Sequence, residues 1–319
     1  MSAFVRHLAG WRSVGPAIWA SPTLLLCVAS LCWALNPIIG RAVRDLVSPS
    51  SLAFWRWAVA FLCVLPFAWR HLKADRQTLR DSWLFLTLLG FFGVGFFSYI
   101  VYCGLQYTTA TNSLLLQSIM PILTLVMPAV LFGERLRPVL ALSAVLSFAG
   151  IMWIVTKGHP LDLRGSALNI GDVLSVTGVF LYSVYATFLR KVPALHPLTL
   201  LAALFAIGMG SMAVPYAANL ASNGPSMPPV EVVAAILYVG VFPSLVAYGL
   251  FNRAVVLIGS ARSGIYMNLP PVFGVALAVP LLGEKLALYH LVGAVIIIIA
   301  IAISRERRAG TVDGANQEV

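Results

Sequence analysis

Long apolar runs, separated by short charged or Pro/Gly-rich breaks, fill this chain between residues 22 and 304. A helix needs about 20 mainly apolar residues to cross the hydrocarbon core of a bilayer. Ten runs approach or reach that length, and we number them as the first to tenth segments: residues 22–41, 50–69, 83–104, 110–131, 137–156, 170–190, 197–219, 231–252, 262–282 and 286–304. We predict that each is a transmembrane helix and that no soluble domain lies between them.

The composition supports a membrane protein and excludes several soluble classes. The 319 residues are 60% hydrophobic and 10% charged, with a mean hydropathy of +0.91, whereas an ordinary soluble domain is about 25% charged. This excludes a soluble enzyme, a nucleic-acid-binding domain and a secreted disulfide scaffold. Four cysteines lie in apolar runs without metal-ligand or redox spacing, so we predict no metal and no cofactor: Cys27, Cys32, Cys63 and Cys103. The predicted partners are the lipid bilayer and a small-molecule substrate, without nucleic acid.

The basic residues are distributed unevenly between the two ends of the predicted helices. Ten crossings place both termini on one side, and that side carries 15 Lys and Arg residues against 5 on the other. Cytoplasmic loops of membrane proteins carry the excess of positive charge. The bias therefore predicts a multi-pass protein of the bacterial cytoplasmic (inner) membrane with both termini in the cytoplasm.

The chain also contains an internal repeat with a shift of 150 residues. In this register Ser113 aligns with Ser263, Pro121 with Pro271, and the Gly-Glu pair at 133–134 with the pair at 283–284. Each copy holds five segments, and because five is odd the second copy must be inverted in the membrane. We divide the chain into a cytoplasmic N-terminal segment, a first five-helix repeat, a linker, a second inverted repeat and a cytoplasmic tail: 1–21, 22–156, 157–169, 170–304 and 305–319. Inverted repeats are typical of transporters.

Each copy has a proline followed twelve residues later by Gly-Glu-Arg-Leu (133–136) or Gly-Glu-Lys-Leu (283–286). With two five-helix copies, this pattern resembles the drug/metabolite transporter superfamily, and within it the ten-helix EamA-type exporters, which include bacterial aromatic amino-acid exporters. The expected fold is an all-α membrane protein with ten transmembrane helices, arranged as two inverted five-helix repeats around a central cavity. We expect the first, third, fourth, sixth, eighth and ninth helices to wall the cavity. The resemblance implies that the fifth and tenth lie at the periphery or at a dimer contact, in a monomer or homodimer.

The repeated glutamates and prolines each have a structural and a functional interpretation. Glu134 and Glu284 are predicted to cap the starts of the fifth and tenth helices, where a carboxylate complements the helix dipole; the alternative is a gate or a proton acceptor. Pro121 and Pro271 are predicted to kink the fourth and ninth helices and to free backbone carbonyls toward the cavity. The alternative for the prolines is a simple packing kink.

Arg56 is the one charge well inside a predicted helix. A charged side chain at membrane depth suggests a functional site, here a partner for a substrate carboxylate. An arginine that snorkels to the surface between Trp55 and Trp57 accounts for the sequence equally well. Asp172, at the mouth of the sixth helix, is the candidate for proton coupling.

Polar and aromatic side chains recur within the predicted helices and are candidates for lining the cavity. A buried tyrosine hydroxyl or amide needs a polar partner, so these residues are expected to face inward; interfacial or packing roles are the alternative for about half of them. The candidates are Trp33, Asn36, Ser98, Tyr99, Tyr102, Ser113, Gln117, Ser118, Tyr182, Tyr185, Tyr248, Asn252, Tyr266 and Asn268.

These features together predict a transporter and not an enzyme. We expect it to export small organic solutes, with aromatic and other apolar amino acids as the best candidates, by alternating access. No phosphate-binding glycine loop is present, so ATP is not the direct energy source. The alternatives are another neutral metabolite or a drug-like compound as substrate, or, in a different class, an intramembrane enzyme using Ser211 and His290 or a lipid-handling protein.

Overall fold

A computed structural model describes residues 21–133, 138–159, 169–224, 227–258, 263 and 266–306. Every regular element in these ranges is helical, and they contain no strand, which confirms the all-α prediction for the described part of the chain. The α-helices are Pro22–Ala42, Pro49–Ala74, Arg76–Asp81, Trp83–Gly90, Phe97–Tyr107, Ala110–Gln117, Met120–Phe132, Pro138–Val155, Ile170–Phe188, Pro197–Asn223, Val230–Val241, Ala247–Ile258, Leu269–Leu282 and Leu288–Glu306.

Several of these helices are long and apolar enough to cross a membrane, so the chain is a multi-pass membrane protein. Six spans satisfy both conditions among the described residues: Pro22–Ala42, Pro49–Ala74, Trp83–Tyr107, Ile170–Lys191, Pro197–Asn223 and Val230–Val255. A seventh is added if Ala110–Thr124 and Val126–Phe132, which are bent by 54° to each other, form one span. Three further segments contain shorter apolar helical stretches: Ala141–Ile154, Tyr266–Leu282 and Leu288–Ala300. The structure therefore supports six or seven of the predicted crossings by length and composition, and the prediction of ten is not confirmed.

The outer surfaces of the helices carry large apolar side chains. Leu62, Phe67, Val145 and Ile298 are each about 60% exposed or more. In water such a surface would be a site of association. In a bilayer the same surface contacts lipid chains, which explains why so many leucine, phenylalanine and isoleucine side chains remain outside the core.

The backbone repeats its irregular features in the two halves of the chain. A π-helical stretch interrupts the third segment at Phe91–Phe96 and the eighth at Phe242–Val246, close to the 150-residue register. Gly133 and Gly283 end the corresponding helices with φ of 68° and 66°. An L-residue with a side chain is strained at these angles, so glycine is required at both places.

The fourth segment is broken and not continuously helical. Two residues, Ser118 and Ile119, separate the helix Ala110–Gln117 from the helix Met120–Phe132. Pro121 is the second residue of that second helix, and Pro271 is the third residue of Leu269–Leu282 in the ninth segment. The first turn of a helix has N–H groups without helical partners, so it tolerates proline. Each proline thus lies in the first turn of a helix, and the fourth segment, which contains Pro121, is bent by 54°. The kinks at the two prolines stay predictions.

The fifth and tenth segments pack closely against each other. A Cβ added at Gly150 would lie 2.7 Å from Ile297 Cγ1 and 3.1 Å from the Gly293 carbonyl oxygen. Glycine at these positions lets the two backbones approach, as is common between membrane helices. Ile154 and Ile297 are fully buried in the resulting apolar cluster.

Candidate substrate site

Arg56 lies in the second segment and points into the protein, with 7% of its side chain exposed. Its Nε donates a hydrogen bond to Ser244 Oγ at 3.1 Å. Its Nη1 donates to Asn36 Oδ1 at 3.3 Å and to the Tyr102 hydroxyl at 3.1 Å, and that hydroxyl donates to Asn36 Oδ1 at 2.9 Å. We call Asn36, Arg56, Tyr102 and Ser244 the arginine site. It joins the first, second, third and eighth segments, and the arginine does not snorkel to the membrane surface.

All hydrogen-bond partners of Arg56 are neutral. The guanidinium carbon of Arg56 lies over the Trp57 ring, 4.5 Å from its centroid. Over the described ranges the single ion pair joins Arg44 to Asp45, at 3.2 Å and on the surface. No described carboxylate therefore pairs with Arg56, and a buried cation without a counter-ion is costly.

An aromatic group adjoins the arginine site. The rings of Trp33 and Tyr248 are 5.8 Å apart in an edge-to-face arrangement, and those of Tyr182 and Tyr185 are 5.5 Å apart. The side chains of Tyr182 and Tyr248 are neighbours, and Trp33 Nε1 donates to the carbonyl of Pro243, directly before Ser244 of the arginine site. We call Trp33, Tyr182, Tyr185 and Tyr248 the aromatic wall.

The π-helical stretch of the eighth segment positions polar atoms of both the arginine site and the aromatic wall. Widening the helix displaces backbone carbonyls from their usual partners, which is why such stretches often occur at functional sites. The Pro243 carbonyl accepts a hydrogen bond from Trp33 Nε1 at 3.0 Å. Ser244 Oγ donates to the Val239 carbonyl at 2.9 Å and so keeps a lone pair for Arg56. One local irregularity thereby orients a member of the aromatic wall and a member of the arginine site.

Comparison with known proteins decides the family. The sequence model of the EamA-like transporter family matches residues 20–156 and again residues 169–305. The chain belongs to the EamA-like transporter family. The resemblance to drug/metabolite transporters inferred from the sequence is thereby confirmed.

Curated relatives agree with this assignment. An uncharacterized transporter of Archaeoglobus fulgidus is 30% identical over 287 residues, which cover 89% of this chain and 97% of the relative. The uncharacterized transporter YyaM of Bacillus subtilis is 26% identical over 261 residues, covering 80% and 83% respectively. A solved crystal structure superposes with a TM-score of 0.59 at 18% identity and covers 90% of this chain and 98% of that one; this likeness shows the fold alone.

This EamA-like transporter has a second group of buried polar side chains, where the third segment ends and the fourth, sixth and tenth begin. Asp172 accepts hydrogen bonds from the Thr108 hydroxyl and from Asn112 Nδ2, the latter at 3.2 and 3.3 Å. Asn112 Oδ1 lies 2.7 Å from His290 Nε2. We call Thr108, Asn112, Asp172 and His290 the polar cluster. All four are at least 95% buried.

The backbone determines the direction of these hydrogen bonds. The Ala287 N–H donates to His290 Nδ1 at 2.9 Å, so Nδ1 is the acceptor and the ring hydrogen is on Nε2. Nε2 then donates to Asn112 Oδ1, which leaves the Asn112 amide nitrogen to donate to Asp172. Asn112, in the first repeat, thus links two ionisable side chains of the second.

Glu284 does not cap the tenth helix, and that prediction needs correction. Its carboxylate accepts hydrogen bonds from the backbone N–H groups of Ala110 at 2.7 Å and Thr111 at 2.9 Å. It therefore caps the helix Ala110–Gln117, because the preceding helix ends at Gly283 and leaves the carboxylate facing that N-terminus. The tenth-segment helix begins only at Leu288. Glu134 lies outside the described residues.

Other predicted cavity residues form hydrogen bonds with neighbouring backbone carbonyls or serine hydroxyls, and they do not belong to the arginine site. Ser98 donates to the Val94 carbonyl at 2.8 Å, within the π-helical stretch, and Ser118 donates to the Leu115 carbonyl. Gln117 Nε2 donates to Ser113 Oγ at 3.2 Å, and Ser113 also bonds Ser175 of the sixth segment at 3.3 Å.

The remaining candidates are Tyr99, Tyr266, Asn252 and Asn268. Tyr99 packs near Phe96, with ring centroids 6.5 Å apart. The Tyr266 hydroxyl shares a hydrogen bond with Thr23 at 3.3 Å. Asn252 makes no hydrogen bond with the described residues, and Asn268 directly precedes the helix Leu269–Leu282.

Sequence reasoning missed Ser244, Thr108 and Asn112. The polar run Thr-Thr-Ala-Thr-Asn-Ser at 108–113 is unusual at the start of an apolar segment and was a usable signal for the last two. Ser244 lies alone beside Pro243 in an apolar run, and nothing local marks it as a partner of an arginine 188 positions away.

Proposed function

We propose that this EamA-like transporter exports small organic solutes by alternating access without ATP, and that aromatic and other apolar amino acids are its substrates. The observation that carries the proposal is the position of the arginine site. Asn36, Arg56 and Tyr102 belong to the first repeat, and Ser244 to the second. Substrate sites of inverted-repeat transporters lie where the two repeats meet.

The aromatic wall supports the choice of substrate. Trp33, Tyr182 and Tyr248 offer flat apolar surfaces with polar edges, and Trp33 is hydrogen-bonded next to Ser244 of the arginine site. Aromatic rings gain energy by stacking edge-to-face or offset against such surfaces. An amino acid with an apolar or aromatic side chain matches both parts of the site.

The proposal includes the membrane arrangement. It comprises ten crossings, two inverted repeats around a central cavity, and both termini on the cytoplasmic side of the bacterial inner membrane. The symmetric placing of the two π-helical stretches and of Gly133 and Gly283 supports the inverted repeat. The 15 to 5 bias of basic residues supports the orientation.

Counterflow in proteoliposomes tests this function. Purified protein is reconstituted with unlabelled amino acids inside and labelled phenylalanine, leucine or threonine outside, with protein-free vesicles as the control. Saturable uptake that excess unlabelled substrate blocks is the expected result. A Tyr248→Ala variant should reduce uptake of phenylalanine more than that of threonine, because it shortens the aromatic wall. Lack of uptake both in counterflow and under an imposed pH gradient would refute amino acids as substrates.

The intramembrane-enzyme alternative lacks support from the residues it would use. Ser211 Oγ donates to the Gly208 carbonyl at 2.7 Å, and both ring nitrogens of His290 are engaged by Ala287 and Asn112. The serine and the histidine therefore do not form a nucleophile–base pair. Under our proposal a Ser211→Ala variant transports at the wild-type rate.

A further inference from the structure

We propose that Arg56 binds the carboxylate of the substrate, so that the transporter selects compounds with one negative group and rejects their neutral amides. This inference rests on the proposed function and specifies the chemistry of its site. Four features of the described residues support it: the charge of the site, the number of buried cations, the free edge of the guanidinium and the adjoining aromatic wall.

The charge of the site favours an anionic group. Arg56 is 7% exposed, and its protein partners Asn36, Tyr102 and Ser244 are all neutral. Neutral acceptors satisfy hydrogen atoms but leave the positive charge uncompensated in a low-dielectric setting. A carboxylate that enters the site forms a neutral pair with the guanidinium. The carboxylate-bound transporter is therefore more stable than the transporter bound to an uncharged compound.

The number of buried cations limits the ligand to a single charge. Arg56 is the only lysine or arginine that is buried in the described part of the chain. Arg41, by comparison, is partly exposed and donates to the backbone carbonyls of Leu105 and Gln106. Phosphates and dicarboxylates usually require two or more basic groups. The site therefore suits a monocarboxylate, and a zwitterionic amino acid qualifies if its ammonium group finds acceptors elsewhere.

The geometry of the guanidinium leaves one edge for the ligand. Nε is held by Ser244 and Nη1 by Asn36 and Tyr102, whereas Nη2 makes no hydrogen bond with any described residue. The Trp57 ring centroid lies 4.5 Å from the guanidinium carbon. Because the plane is fixed at two nitrogens, Nη2 is presented in a set direction, and pre-organisation of this kind reduces the entropy lost on binding.

Tyr248 belongs to the aromatic wall that adjoins the arginine site. Its ring lies 5.8 Å from that of Trp33, and Trp33 Nε1 donates to the carbonyl of Pro243, directly before Ser244. The carboxylate of the substrate accepts a hydrogen bond from Nη2, the nitrogen that no described residue holds. The apolar part of the substrate then lies along Trp33, Tyr182 and Tyr248 of the aromatic wall.

Ligand-induced thermal stabilisation of the purified protein in detergent tests the inference without requiring transport. The probes are 3-phenylpropionate, its neutral amide, and phenethylamine, which lacks the carboxylate. A charge-assisted hydrogen bond to arginine corresponds to about 10- to 100-fold in affinity. We expect the acid to stabilise the wild-type protein at ~10- to 100-fold lower concentration than the amide. Equal effects of acid and amide, or no effect of either, would overturn the inference.

Three variants separate binding from a merely structural role of Arg56. Arg56→Gln keeps hydrogen-bond donors for Asn36 and Tyr102 but removes the charge, and the preference for acid over amide should fall below ~3-fold. Arg56→Lys retains the charge and should retain part of the preference. Arg41→Gln removes an arginine outside the site and should leave the preference unchanged. If Arg56→Gln discriminates as the wild type does, Arg56 is structural.

The result is distinguishable from failure of the proposed function. If labelled amino acids do not exchange in proteoliposomes but the acid still stabilises wild type and not Arg56→Gln, the substrate is another monocarboxylate. If amino acids exchange at equal rates in wild type and Arg56→Gln, transport stands and the carboxylate anchor is refuted.

Discussion

Removal of the Glu284 carboxylate should loosen the start of the helix Ala110–Gln117. Glu284 accepts two backbone hydrogen bonds there, at 2.7 and 2.9 Å. Hydrogen bonds to charged groups contribute roughly 1.5–3 kcal/mol, and helix caps roughly 0.5–2 kcal/mol. We therefore expect Glu284→Ala to reduce the local stability of this turn by about 2 kcal/mol. Glu284→Gln keeps an acceptor oxygen and loses the charge, so it should cost about 1 kcal/mol.

Amide hydrogen exchange measured on peptides that cover residues 108–117 is the appropriate assay, because exchange reports local opening. A loss of about 2 kcal/mol corresponds to roughly 30-fold faster exchange at Ala110 and Thr111, and 1 kcal/mol to about 5-fold. Glu231→Ala provides the matched control. Glu231 is an exposed acid in the first turn of the helix Val230–Val241 and makes no hydrogen bond with the described residues.

Two results would refute this reasoning. Unchanged exchange at 110–113 in Glu284→Ala would mean that the carboxylate does not hold this turn. Equal acceleration there in Glu231→Ala would mean that any loss of negative charge has the same effect. Because Asn112 lies in the same turn and bonds Asp172 and His290, the expected loosening should also spread to the polar cluster.

Three further predictions test packing, the polar cluster and topology. A Cβ at Gly93 would overlap the ring of Tyr185, so Gly93→Ala should lower the free energy of unfolding by roughly 1–3 kcal/mol. Gly210→Ala should be neutral or slightly stabilising in the same thermal assay, because no described residue beyond its own helical turn lies within 4 Å of the added Cβ. Asn112→Ala removes the bonds that join Asp172 and His290, so it should lower the melting temperature clearly more than Asn252→Ala, which removes an amide without a hydrogen bond among the described residues; equal shifts would contradict the cluster. Reporter tags at either terminus should be found in the cytoplasm, and an outward-facing terminus would contradict both the topology and the inverted repeat.

The sequence was sufficient for the features that depend on local composition and on repetition. Apolar length sets where helices form, because the backbone in lipid must satisfy its hydrogen bonds within the segment. The repeated Gly-Glu and proline positions indicated both the family and the 150-residue register. The match to the EamA-like family model confirms the family. Gly133 and Gly283 were also identified from the repeat alone, and their left-handed backbone explains why they are glycines.

The structure was needed wherever residues from distant segments meet. Arg56 had two equally good interpretations in the sequence, since neighbouring tryptophans suit either one, and only the rotation of the second segment toward Asn36, Tyr102 and Ser244 distinguishes them. The same holds for Glu284, whose two hydrogen bonds reach a helix more than 170 positions earlier.

Apolar pattern and helix propensity are properties of short windows, so the sequence by itself determined that this chain forms apolar helices in two related halves. The environment of a single buried charge depends on how those helices rotate and pack, which no short window contains. The tertiary structure therefore decided that Arg56 faces inward among neutral partners and that Glu284 in one repeat caps a helix in the other.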